Sequence, residues 1–480
     1  MKNLSALEPK RVFEYFEEIC SVPHGSGNME QISQYCLDFA KRHGLRAVRD
    51  AANNVVIYKN GTAGYEASAP VILQGHLDMV CQKTEDCNID FENDGIRPYV
   101  DGDFVTAEGT SLGADNGIAV AMALAILASD DIAHPPIEAL FTTDEETGMY
   151  GAMALDAKLL SGKRMINMDA EEPGTVTVSC AGGSNFLMTL AYTPIRVRGT
   201  HITLHIAGLQ GGHSGIEIHK GRVNADILMG RILHEAKAVG DFRLIGVNGG
   251  DKGNAIPLAC TAELVVENAQ VFVQKLQYSM DMIQKEIIDR EPNASLKVSV
   301  GEMGEFDVLP QADSDKLSQL LLCAPCGVMD MSVSIEGLVE TSLNLGILKT
   351  QSGVVELLFT LRSNKQTALD FLEKRLFALA KTFGCTTNTD GHYPSWEYKA
   401  DSVLREHYKA CYKDLCGGEA KVEAIHAGLE CGVFASKILG LDCIAIGPAL
   451  FDVHTVKERL SISSTAETFA LVKQILAKCK

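Results

Sequence analysis

The sequence predicts an α/β protein: a mixed, mostly parallel sheet sandwiched by helices, interrupted by an inserted α+β lid domain. Three observations lead there. Short apolar runs have the length of strands, helical spacing appears between them, and the pattern changes near residue 190 and reverts near residue 390. Strands buried on both faces read as continuous apolar runs, the habit of parallel sheets covered by helices.

Taken in order, Gly25 to Asn28 punctuate the entry to a helix from about Glu30 to His43, where Ile32, Tyr35, Cys36, Phe39 and Ala40 recur at helical spacing. VVIY at 55–58, PVILQG at 70–75, IEALFTT at 137–143 and MINM at 165–168 read as buried strands, with a helix at about 117–129. From about residue 190 the chain turns to alternating strands such as HITLHIAGL at 201–209 and amphipathic helices at about 222–237 and 269–289. Helices at about 402–415 and 430–438 and a last buried strand, IAIG at 444–447, return to the first style. The expected domains are 1–188 and 391–480, which together form the catalytic domain, and 189–390, a lid or dimerisation domain. No internal repeat or low-complexity tract is evident.

A chain of 480 residues, 46% apolar, has ample material for two or three cores of roughly 150 residues each. Its 62 acidic and 43 basic residues leave a net charge of -19, which repels phosphate backbones and anionic bilayers, so neither nucleic acid nor membrane is expected as a partner. Glu8, Glu14, Glu17 and Glu18 break the apolar stretch that a signal peptide needs. The longest apolar run, Gly117 to Ala128, is shorter than the roughly 20 residues of a spanning helix. Fourteen irregularly spaced cysteines read as reduced thiols, so the expected location is the cytoplasm. Cys323 and Cys326 form a single C-x-x-C with no second pair at a metal-site distance.

Chemistry is expected where apolar strands end in ionisable residues, because open α/β sheets build sites outside the strands' carboxyl ends. PVILQG runs into His76 and Asp78, and IEALFTT into Asp144, Glu145 and Glu146. MINM runs into Asp169 and Glu171, the stretch after Thr106 reaches Asp115 and Asn116, and IAIG is followed by Asp452 and His454. Singly, each could be a helix cap or a packed histidine. Converging on one edge, the carboxylates would repel and raise one another's pKa values unless a multivalent cation sat among them. Imidazole with carboxylate oxygen suits zinc or a similar divalent ion, and the lack of nearby cysteine argues for an open, catalytic site. One carboxylate could bridge two metals and acidify a water. Glu145 and Glu146 could divide metal binding and general-base work, and Asp78 could hydrogen-bond the far nitrogen of His76.

These motifs resemble the co-catalytic dizinc peptidases and deacylases, the family that includes carnosinase, aminoacylase and succinyl-diaminopimelate desuccinylase. The matches are H-L-D at 76–78, G-A-D-N-G at 113–117, D-E-E-T-G at 144–148, N-M-D-A-E at 167–171 and His454. A narrower likeness to bacterial dipeptidase members rests on C-A-G-G at 180–183, G-G-H-S-G at 211–215, N-A-I-P at 254–257 and H-A-G-L-E-C-G at 426–432. The resemblance implies two divalent ions, zinc first with cobalt or manganese as alternatives, and a small peptide substrate. It makes Asp115 the bridging ligand, followed by a cis peptide to Asn116. His76 and Asp169 complete one metal, and Glu146 and His454 the other. Glu145 becomes the general base, and His213 an oxyanion donor. Arg362 and the backbone at Gly428 hold the substrate carboxylate, with Asn254 as a weaker candidate. A homodimer is expected because relatives commonly form one.

Asp169, where deacylases of the family often carry glutamate, resembles the peptidase members. Departures from the bacterial pattern occur at Cys326 and at V-K-E-R, 456–459, neither of which is expected at a ligand. His24, His219 and His426 are read as structural or supporting residues.

Three competing readings remain. G-T-S-L-G at 109–113 spells a serine nucleophile elbow, but its helix would have to start directly after Ser111, and five residues intervene. A non-catalytic binder would lack a ligand or the base. Hydrolysis of N-acyl amino acids on the same fold is the alternative to dipeptide hydrolysis.

Overall fold

The computed structural model describes residues 4–351 and 353–480, so residues 1–3 of the expected first domain lie outside the description. The described chain divides into two compact units. The first is Met1–Cys180, Trp396–Ala424 and Leu429–Lys480; the second is Ala181–Ser395 with Ile425–Gly428. The sequence places the seams at 188/189 and 390/391, whereas the compact units part at 180/181 and 395/396. A short return at 425–428 also belongs to the second unit.

The first unit is built on an eight-stranded sheet among the described residues. Its central strands, in spatial order, are Ile137–Thr142, Val71–His76, Arg164–Asn167 and Asp442–Ala445, all mutually parallel. Every residue of the first two is buried, which is why their sequences show no polar alternation. Antiparallel strands flank this centre: Val55–Lys59 and then Arg46–Arg49 on one side, Thr175–Cys180 on the other. Because the four central strands run the same way, their carboxyl ends lie along one edge. The register sets His76 opposite Thr142 and Gln74 opposite Asn167. A separate four-stranded antiparallel sheet holds Pro98–Asp101, Phe104–Ala107, Arg459–Ser461 and Leu450–Phe451.

The helix Ala114–Leu127 is apolar all round and buried on every side except at Asp115. Its first turn is irregular: Asp115 and Asn116 are non-helical, and the peptide between them is cis. Asn116 joins two strands, accepting from the His76 amide (3.2 Å) and donating to the Met168 carbonyl (3.0 Å). This requires close approach by Gly75, where a Cβ would come within 2.5 Å of Asn116 Oδ1 and 2.9 Å of the Ala119 methyl.

The second unit carries a nine-stranded sheet among the described residues, with all its pairings antiparallel. Its long strands include Ile195–Ala207, Val339–Gln351 and Val354–Ser363. Helices Ala225–Val239, Ala269–Ile287, Gln311–Cys323 and Gln366–Phe383 pack on it through Ile232, Leu276, Leu317 and Leu369 among others, forming one continuous core. The predicted strand at 201–209 is the second half of a longer strand that begins at Ile195. Its first half is exposed and mixed in character, so it carries no alternation to read.

Gly75→Ala should destabilise the protein by about 1–3 kcal/mol, the usual cost of inserting a methyl into a close-packed site. Urea unfolding followed by circular dichroism measures it, and an unchanged midpoint would show that the contact is slack.

Candidate metal centre

At the carboxyl edge of the first unit the structure brings together His76, Asp115, Glu146, Asp169 and His454. His76, Asp115 and Glu146 each present a ligand atom, and these atoms lie within 4.8 Å of one another. Nε2 of His76 is 3.2 Å from Asp115 Oδ1 and 3.4 Å from Asp169 Oδ1. Nε2 of His454 is 3.1 Å from Asp115 Oδ2 and 3.0 Å from Glu146 Oε1. Asp115 therefore turns one oxygen toward each imidazole, the disposition of a carboxylate shared between two positive centres. The loops are held in unusual backbone, with Asp144, Met149, Asp452 and His454 all at positive φ. For residues other than glycine such strain collects at functional sites.

The donor set fits divalent cations. His76 Nδ1 donates to the Asp78 carbonyl at 2.9 Å, which leaves Nε2 of a neutral ring as a lone pair facing carboxylate oxygens. Acceptors facing acceptors repel unless protons or cations intervene. Without cations, protons take that part. His454 is raised to about 10 by its bonds to Asp115 and Glu146. His76, which burial alone would depress, is held well above its ordinary value by Asp169 and Asp115. Asp115, which burial would raise, is held well below the carboxylate range by the two imidazoles. Burial pushes Asp169 up to about 6 and Glu145 up to about 9, with neighbouring carboxylates adding to both and His76 opposing.

Three buried acids organise this edge from behind. Asp78 accepts from the amides of Glu145 (3.0 Å) and Glu146 (3.2 Å) and from Ser26 Oγ (2.8 Å). Its carboxylate thus fixes the turn bearing both glutamates, and the close contact to the His76 ring comes from its main-chain carbonyl instead; Oδ1 stands 3.5 Å from Nδ1. Glu430, fully buried and raised by that burial to about 8, accepts from Gln74 (2.6 Å) and Thr142 (2.8 Å). Gln74 in turn accepts from Asn167, whose Oδ1 takes the Asp169 amide. Glu458 corrects the reading of 456–459 as remote from any ligand, because its carboxylate accepts the amide of Asp115 itself at 3.2 Å. A glutamate in a short charged run carries no signal of burial, and only the fold reveals this one.

The second unit gathers the other predicted residues. His213 lies on a two-stranded ladder, Gly212–His213 with Ala255–Ile256, and Ser214 donates to the Asn254 carbonyl at 2.9 Å. A Cβ on Gly215 would meet the His213 ring (3.0 Å), Arg362 Nε (3.0 Å) and the His426 carbonyl (2.7 Å), so glycine is required for these groups to converge. Gly428 ends the short 425–428 return of the same unit. His213 Nδ1 accepts amides of Gly215 (3.0 Å) and Ile216 (3.1 Å), which leaves the ring proton on Nε2 as a donor. Burial and the nearby Arg362 lower its pKa and keep the ring neutral. Arg362 is 8% exposed; Nη1 donates to the Tyr393 hydroxyl, while Nε has no partner among the described residues. His426, pushed down to about 3 by burial, is engaged by Ser342 and Asn364.

Other sequence candidates have structural work. Ser111 is 1% exposed and donates to the Val80 carbonyl while accepting the Gln82 amide, which commits the hydroxyl of the elbow-like motif's serine to the main chain. His24 donates to the Val22 carbonyl from a buried position. His219 is exposed on the short turn Ile218–Lys220. Cys323 and Cys326 are both free thiols.

A parallel sheet whose carboxyl edge presents two imidazoles among clustered carboxylates is the framework of a metal-dependent hydrolase. Residues 72–478 match peptidase family M20/M25/M40, and the chain belongs to that family of peptide-bond hydrolases. It is 38% identical over 480 residues to the cytosol non-specific dipeptidase of Escherichia coli K12, covering 99% of both chains. The crystal structure of aminoacylhistidine dipeptidase from Vibrio alginolyticus superposes with a TM-score of 0.95 at 37% identity, covering 99% of this chain and 98% of that one. Aminopeptidase PepT from Bacillus cereus shares the fold at a TM-score of 0.59 and 14% identity, covering 98% and 99%.

Loading a divalent metal at pH 7 should release about two to three protons per chain, because imidazoles protonated in the metal-free protein must become neutral to act as ligands and Glu145, raised to about 9, gives up its proton as the added positive charge lowers it. Apparent affinity should therefore fall as the pH drops through the raised histidine values, about 10 for His454 and well above the ordinary range for His76. Titration of stripped protein in weakly buffered indicator dye checks this; metal uptake without proton release would exclude the two histidines as ligands.

Proposed function

We propose that this chain is a cytoplasmic metallo-dipeptidase that hydrolyses unblocked dipeptides, Xaa-His compounds such as β-alanyl-histidine among them. The observation that carries this reading is Asp115 facing His76 with one oxygen and His454 with the other, in a chain matched along its whole length by dipeptidases. His76 and Asp169 would hold one divalent ion, Glu146 and His454 the other, and Asp115 both, with zinc the best match to the donors. Bound there, the ions would supply Lewis acidity and lower the pKa of water into the neutral range.

The remaining work falls to the chain's own groups. Glu145, on the turn fixed by Asp78, takes the proton of the attacking water and returns it to the departing amine nitrogen. Its elevated pKa in the ion-free state reflects burial among carboxylates, and positive charge at the ligands lowers it toward the range of a base that works at neutral pH. His213 offers its Nε2 proton to the developing oxyanion, a contact whose loss typically costs ~3 kcal/mol of barrier. Arg362, whose buried Nε has no partner among the described residues, suits the substrate's terminal carboxylate, and the backbone at Gly428 and Asn254 would complete that subsite. Asp78 acts indirectly, by holding His76 and both glutamates.

Glu145→Gln should lower kcat by roughly 10²–10⁴-fold with metal content unchanged by elemental analysis; full activity would remove Glu145 as base. Assays across β-alanyl-histidine, ordinary dipeptides, tripeptides and acetylated amino acids should show turnover of the dipeptides. Turnover of the acetylated compounds alone would replace the dipeptidase reading with a deacylase and leave the metal centre standing.

A further inference from the structure

Glu458 is 2% exposed and serves as the common acceptor of four consecutive main-chain amides. Oε2 takes Leu112 (2.7 Å) and Gly113 (3.0 Å); Oε1 takes Ala114 (2.8 Å) and Asp115 (3.2 Å). Successive N–H groups that point inward form an anion-binding concavity, here shaped by Gly113 at a φ of 72°. Only an acceptor-only group satisfies all four, and a carboxylate is the side chain with that capacity. The acid lies four residues beyond His454 and 343 beyond Asp115, so its contacts tie together the two segments that face each other across the cluster. Its own end is anchored as well: Glu458 N donates to the Thr455 carbonyl (3.2 Å), and Thr106 Oγ1 donates to the Glu458 carbonyl (2.9 Å).

We propose that Glu458 is a positioning residue that fixes the Asp115 carboxylate between His76 and His454 and thereby sets the metal affinity of the centre. It touches no candidate metal position and takes no part in proton transfer. It acts by denying the 112–115 arch any other path. The proposal rests on Asp115 being a ligand. Glu458→Gln keeps the shape but presents an amide NH₂ to two of the four N–H donors, which should swing the arch and with it Asp115.

The test is metal binding by full-length, metal-free protein, read by competition of Zn²⁺ with a chromophoric chelator and by the visible absorption of bound Co²⁺. Glu458→Gln should bind Zn²⁺ about tenfold to a hundredfold more weakly, as loss of supporting contacts behind metal ligands typically does. Its Co²⁺ spectrum should change while the melting temperature of the metal-free protein moves little. Thr106→Val, which loosens the same segment without touching the arch, should bind as the parent does. Native affinity and an unchanged spectrum in Glu458→Gln would overturn the proposal. Asp115→Asn separates the premises: if that variant keeps native affinity, the ligand reading fails, and if it alone loses metal, positioning by Glu458 fails. Should Glu458→Gln not fold, Glu458→Asp is read by the same criteria. In the unsubstituted metal-free protein, the amides of residues 112–115 should resist hydrogen exchange; exchange as fast as in exposed loops would also overturn the assignment.

Discussion

Crowded negative charge is the constraint on which the rest of this molecule depends. Asp115, Glu146 and Asp169 approach one another at the edge of a sheet whose interior is apolar, with Glu145 beside them. Burial makes each charge costly, and proximity makes each worsen the next. In the absence of metal the imidazoles of His76 and His454 take up positive charge, at values far above their ordinary range. Such a cluster has the donors to hold a cation, and a scaffold prevents it from dispersing.

That scaffold is polar and lies immediately behind the cluster. Asn116 links the strand ending in His76 to the one leading to Asp169. Asp78 gathers the amides of Glu145 and Glu146, and a relay from Glu430 through Gln74 and Asn167 reaches the amide of Asp169. Asp78 and Glu458 are matched to main-chain donors, which satisfies amides that irregular loops would otherwise leave unpaired, whereas Glu430 takes the side chains of Gln74 and Thr142. Burial raises Glu430 to about 8 and so disfavours a further negative charge below the cluster. The same logic recurs in the second unit, where two amides fix the tautomer of His213.

Much of this was legible in the sequence. The central strands were readable because burial on both faces removes alternation, as at Val71–His76 and Ile137–Thr142. Strand-end bursts of ionisable residues then pointed to His76, Glu145, Glu146 and Asp169, since a parallel sheet aligns those ends. Asp115 and His454 stood among the same strand-end clusters, but their irregular backbone gives no pattern from which a role can be read, and motif resemblance supplied their roles. What could not be read was second-layer support. Glu458 and Glu430 look like ordinary surface acids in a chain with 62 of them, and their burial depends on contacts with residues hundreds of positions away. The return of 425–428 to the second unit likewise follows a path in space that no local pattern encodes.

The order of strands in the first unit has a consequence for biosynthesis. Asp442–Ala445 lies between Arg164–Asn167 and Thr175–Cys180, so the sheet is missing an interior member until residue 445 has left the ribosome. Domains usually fold as they emerge, amino end first. Here the opening 180 residues must wait with a gap in their sheet while the antiparallel second unit, continuous apart from 425–428, is synthesised. Closing that gap is a long-range event that adds the His454 segment late. A nascent chain that has not reached residue 454 is therefore unable to bring His454 opposite Asp115, and the cluster stays incomplete until that segment is made.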